Sequence, residues 1–291
     1  MPGLLTIPRE LRDRIYDWTL SDTLASFQSR VLQRERKTIE YSESDPETLF
    51  GDNNVQFPTQ TSLPPAHGLL HTTRQIRHEF LDSIRRLGAV RYEVDLVDRK
   101  DRGILAPTWI SVPCLPCFTD RIDVLSVNWR ARSSRTSSIA TSVGDSQYYV
   151  CNAFNGSLAL LQRFIERGVY LLSKKKRAKL HIGLLEIHVN TRGTELDSEE
   201  ETRKFAQEAC VCLDDYLLGE PSLIYYSGEN RQILDRQFEI LVSKIGRVQI
   251  HANGAVEREW DLSNAVTRRE EHIRNAATRE EESEDDRDRV S

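Results

Sequence analysis

The period of the apolar residues changes once along this chain, and that change limits what it can build. Before about residue 87 large apolar side chains recur every three or four positions in two segments, Leu4–Trp18 and Leu69–Leu87. From Tyr92 onward they alternate in short runs interrupted by further helical stretches. A period near 3.6 buries one stripe of a helix, and a period of two buries one face of a strand. A chain that does the first and then both folds as an α+β protein, with a helical front on or beside a mostly antiparallel or mixed sheet that carries further helices.

In the front, Leu4, Ile7, Leu11, Ile15 and Trp18 share one helical face. Pro8 suits a first turn, where its missing N–H would lack a partner anyway, and Glu10 faces the positive end of the helix dipole. A second amphipathic helix puts Leu69, Thr73, Ile76, Phe80, Ile84 and Leu87 on its apolar stripe and leaves Arg74, Arg77, Glu79, Arg85 and Arg86 for solvent or partners. Between them, residues 21–68 are rich in Ser, Thr, Gln, Asp and Pro, with one short helix expected near Leu24–Leu32. So long a connection is expected to be a flexible excursion.

In the body, Tyr92–Leu96, Thr108–Val112, Ile122–Trp129 and Leu180–Val189 read as strands and Ser157–Leu172 as a helix. Asp197 or Ser198 caps a helix that holds Glu199, Glu200 and Glu201 in its first turn and stops at Gly219. Val248 and Ile250 lead into Asn253-Gly254, and Val256 and Trp260 lead out. A three-residue loop, Ala252-Asn253-Gly254, would pair Ile250 with Val256 and keep both apolar sets on one face, with Gly254 left-handed.

The 291 residues suffice for one or two domains with a core of their own. No stretch has the apolar length of a membrane helix, and the first residues lack a basic segment followed by an apolar one, so secretion and membrane association are not expected. Five cysteines without framework spacing fit a reducing compartment, cytoplasmic or nuclear. Residues 268–291 hold nine acids and six arginines and almost no large apolar residue, and read as a solvated tail.

Motifs that could carry chemistry are isolated. Cys114-Leu115-Pro116-Cys117 has the spacing of a metal or redox pair, but no second pair accompanies it, since Cys210 and Cys212 diverge on a helix. His181 and His188, seven apart on a strand, face opposite ways, and His71 and His78 lack a third ligand. Gly144-Asp145-Ser146 lacks the surroundings of a nucleophile elbow and reads as a loop. The expectation is therefore no catalytic residue, no metal and no cofactor. The run Lys174, Lys175, Lys176 and Arg177 could be read by nuclear import receptors; nucleic-acid binding is not expected, because no aromatic residues interleave these charges.

The segment Leu4-Leu5-Thr6-Ile7-Pro8-Arg9-Glu10-Leu11-Arg12-Asp13-Arg14-Ile15-Tyr16 resembles the opening helix of the F-box-like proteins of filamentous fungi, and Leu69 to Glu79 resembles their second element. The likeness extends more weakly to Arg91–Leu96, to Pro107-Thr108-Trp109 with Val112-Pro113, and to the hairpin before Trp260. It implies a docking motif at 1–88 with the flexible insertion at 21–68, an α+β body at 89–262 and the tail at 263–291. It further implies that Ile7, Pro8, Leu11 and Ile15 dock the Skp linker subunit of a cullin-RING ubiquitin ligase while the remainder recruits a protein substrate. The length of the insertion, and Thr73 where that family usually has cysteine, depart from the pattern. The alternative is a self-contained scaffold or binding protein whose first helix is core.

Overall fold

The structure, a computed structural model, describes residues 3–21, 35–40, 42, 45, 48–59, 67–86, 90–99, 104–113, 119–131, 143–174, 179–191, 198–219, 228–275 and 278. Its helices are α1 (Arg9–Ser21), the single turn α2 (His67–Leu70), α3 (Arg74–Arg86), α4 (Val143–Arg167), α5 (Glu199–Leu218) and α6 (Gly228–Lys244). The strands are β1 (Arg36–Thr38), β2 (Gln56–Pro58), β3 (Arg91–Arg99), β4 (Ile104–Ser111), β5 (Arg121–Arg130), β6 (His181–Asn190), β7 (Ile245–Ala252) and β8 (Ala255–Asp261). A further helical stretch covers 265–275.

The main sheet is six-stranded and mixed, in the order β4-β3-β5-β6-β7-β8. Its centre is parallel, because β5 reaches β6 through α4 and β6 reaches β7 through α5 and α6, and only such crossovers can make a parallel pair. The antiparallel pairs β3–β4 and β7–β8 close the two edges. Pro107 lies inside β4, which it can do because β4 is an edge strand.

In-register rows place Tyr92, Leu125, Leu185 and Val248 side by side on one face. The helices cover that face: Phe164 of α4 meets Tyr92 and Trp109, and Phe205 of α5 stacks edge-on against Trp129. The neighbouring rows on the other face are polar, with Glu93, Ser126, Glu186 and Gln249 in one and Asn128, His188 and His251 in the next. From Ala153 to Ile165 nearly every residue of α4 is buried, since the sheet, α5, α6 and the segment 48–59 surround it.

Helix α5 begins and ends where its punctuation says. The Ser198 hydroxyl accepts from the Glu201 backbone N–H at 3.1 Å, and Gly219 adopts the left-handed conformation with φ 75°. Helix α4 starts well before Ser157, so Gly144-Asp145-Ser146 lies in its first turns and not in a loop.

Two further expectations are corrected. The β7–β8 loop has two residues, Asn253 and Gly254, both left-handed at φ 53° and 82°. Left alone that register would split the apolar sets, but a bulge between Ile250 and His251 brings Val248 opposite Trp260, leaving Val256 exposed. The insertion is not a flexible excursion over its described part. Strands β1 and β2 pair, β2 lies against β4, and Asp52, Val55 and Phe57 are buried. Three inward residues in a polar segment leave no periodic trace. The short helix expected near Leu24–Leu32 lies outside the described residues.

The start of the charged tail also belongs to the body. Ala265 is buried, and the Arg269 guanidinium pairs with Asp235 and sits 4.2 Å from the Phe238 ring centre.

Candidate docking site on the helical hairpin

Helices α1 and α3 form a small core apart from the main one, built of Tyr16, Leu70, Ile76, Phe80 and Ile84, with Val90 touching both cores. Thr73 opens α3, its hydroxyl accepting from the Ile76 backbone N–H at 3.3 Å. Pro8 opens α1, and its carbonyl accepts from Leu11 and Arg12 at 3.1 Å. Before it, Ile7 is extended, so Leu4 does not share the helical face and packs into the hairpin core instead.

The remaining stripe points away from that core. Exposure is 48% at Leu11, 37% at Ile15 and 73% at Trp18, with Leu5 at 40% just ahead of the helix. Pro8 is exposed and Ile7 half-buried. The four residues named as docking positions thus lie at the start and on the outward side of α1.

Besides that small core, polar contacts hold α1 down. Arg12 donates twice to the Glu79 carboxylate, at 2.8 and 2.7 Å, and once to the Ile7 carbonyl at 2.6 Å. The Tyr16 hydroxyl donates to the same carboxylate at 2.9 Å, as does the Gln75 amide, and Tyr16 meets Phe80 edge to face at 5.7 Å. At the margin Asp13 accepts from Arg9 at 2.8 Å and from Arg86 at 3.1 Å.

The carboxylate of Glu79 is pulled down to about 2, chiefly by its bonds to Arg12 and then by Gln75 and Tyr16, against the opposing effect of burial. The phenol of Tyr16 is pushed up to about 12, by burial first and then by the adjacent carboxylate. It therefore stays a donor. Tyr16→Phe is expected to cost about 1.5–3 kcal/mol, the range for a hydrogen bond to a charged acceptor, with the fold kept; urea unfolding checks it.

The sequence reading placed Glu79 among residues free for solvent or partners, and the structure corrects this: Glu79 is buried, and Arg77 donates to the Leu70 carbonyl at 2.7 Å. Arg12, Tyr16 and Glu79 were missed. The available signal was the Arg12/Tyr16 spacing of four residues, which puts a donor pair together on one flank of the apolar stripe.

Other candidates are dispersed. His188 stacks on His251 across β6 and β7 with ring centres 4.5 Å apart, while His181 lies beside Lys244. Burial, and then the charge His188 would carry, holds His251 below the usual imidazole range. Among the described residues no group of three His, Cys, Asp or Glu is placed to hold a metal, and no helix is long and apolar enough to cross a membrane. His71 and His78 are exposed, and Cys210 and Cys212 are buried. Asn155-Gly156-Ser157, a glycosylation sequon in form, lies within α4 with Asn155 buried. Lys174 is exposed; Lys175, Lys176, Arg177, Cys114 and Cys117 lie outside the described residues.

No family model, curated protein or solved structure matches the chain.

Proposed function

We propose that the chain is a non-catalytic interaction protein, an F-box-like adaptor that docks a Skp-type linker subunit through α1 and brings a protein substrate to a cullin-RING ubiquitin ligase. The observation that supports this reading is the outward stripe of Leu11, Ile15 and Trp18 on a helix already fixed by its other side. A helix serving only its own core turns its largest apolar residues inward. Here α1 is fastened by Arg12 and Tyr16, so the apolar stripe is free for a partner, as contiguous exposed apolar surface commonly is.

The scaffold alternative requires that stripe to be core, and the exposure of Leu11 and Ile15 argues against it. The two readings separate on one double substitution. Leu11→Asp with Ile15→Asp is expected to abolish capture of the linker subunit while moving the thermal midpoint by no more than a few degrees, because both side chains already face solvent. Collapse of the thermal transition would favour the scaffold, and undiminished capture would remove α1 from the docking role.

A further inference from the structure

The stripe on α1 also has the symmetry to pair with itself. On a helix turning about 100° per residue, Trp18, Leu11, Ile15 and Pro8 fall within an arc of about 80°, and Arg14 and then Glu10 lie just beyond its Trp18 edge. Both are exposed, and neither has an ion-pair partner among the described residues. Laid antiparallel on a second α1 across a two-fold axis near Leu11, the helix sets Ile15 over the second copy's Pro8, and Leu11 beside the second copy's Leu11. Trp18 falls towards the second copy's Leu5. In such a pairing residues on the same flank meet, so Glu10 faces the second copy's Arg14, and symmetry makes that contact twice.

We propose that the free protein self-associates through α1, as an antiparallel isologous dimer that covers the docking stripe until a partner displaces it. The contact itself needs only the exposed stripe and its flanking charges; its regulatory meaning rests on the adaptor reading. One charge of each sign on the same flank suits a copy of this helix better than a partner carrying a single sign of charge. Helix α1 has 13 residues and is therefore about 20 Å long, so the contact is small and the dimer weak.

Sedimentation equilibrium on the full chain from about 1 to 300 μM tests this. The weight-average mass is expected to rise from 33.5 kDa towards twice that value. Glu10→Arg and Arg14→Glu should each stay monomeric, since each puts like charges in contact, and an equimolar mixture of the two should associate again because both cross-contacts become complementary. Leu11→Asp should remain monomeric throughout. Circular dichroism and the thermal midpoint of each variant establish that it is folded. A mass independent of concentration in the wild type, or a mixture that fails to associate, overturns the proposal. Excess linker subunit separates the two readings: a chain that is monomeric at the highest concentration yet binds the linker loses the self-pairing and keeps the adaptor role. A chain that dimerises but ignores the linker loses the adaptor role and keeps the pairing.

Discussion

Asp52→Ala is expected to lower the unfolding free energy by about 3–5 kcal/mol, the cost of leaving one member of a buried ion pair without its partner. Asp52 accepts from Arg163 through both carboxylate oxygens; the two side chains are almost wholly inaccessible, and the guanidinium also donates to the Leu171 carbonyl at 3.3 Å and lies over the Phe57 ring. Without Asp52 the guanidinium stays enclosed beside Phe57 and α4 and loses its bidentate carboxylate. The backbone here lies close against α4. A side chain at Gly51 would place its Cβ 2.2 Å from the Asn155 carbonyl oxygen, so the turn is held directly on α4. Replacing the pair by Asp52→Leu with Arg163→Met should recover most of the loss, because the penalty comes from an unpaired charge and not from missing volume. Urea unfolding of the single and double variants checks this. A single substitution costing less than about 1 kcal/mol would mean that water reaches the arginine.

Glu79→Gln is expected to cost about 3 kcal/mol of hairpin stability, since Arg12 then keeps its charge with only neutral acceptors. The readout is local, because the hairpin has its own small core: amide exchange across residues 9–21 and 74–86 should speed up while that of β5 and β6 is unchanged. The same carboxylate sets a pH dependence. Its ionisation lies near 2 in the folded protein and near 4.5 when exposed, so the folded state binds fewer protons between those values. The stabilisation is therefore complete above about pH 4.5 and is lost as the pH falls towards 2. Wild-type protection of α1 should follow that fall and the Glu79→Gln variant should not. Equal profiles would show that the helices are held by Tyr16, Phe80 and Ile84 alone.

The elements were legible where a local rule fixes them. Ser198 and Gly219 bound α5 because an N-cap oxygen and a left-handed glycine act within one turn. Alternation exposed the strands because each buries one face, and it placed the boundaries of β5 and β6 to within a residue or two. Leu11, Ile15 and Trp18 were legible as a stripe for the same reason. Illegible were the contacts made across long separations. Glu79 reads as one more charge on an arginine-rich helix until Arg12, 67 positions earlier, is brought to it. Asp52, Val55 and Phe57 sit in a stretch with no period, and nothing local says that Arg163, 111 positions later, will meet Asp52.

The β7–β8 turn shows both sides. Asn253-Gly254 marks a tight turn from its dipeptide alone, but whether two or three residues close it depended on a bulge that the sheet imposes to bring Val248 against Trp260. Spacing alone determined that α1 is amphipathic and that Leu11, Ile15 and Trp18 share one side. Which side faces solvent was decided in three dimensions. Periodicity groups side chains around an axis but does not orient that axis, and here the orientation comes from a buried carboxylate on another helix, whose bonds to Arg12 and Tyr16 turn the apolar stripe outward.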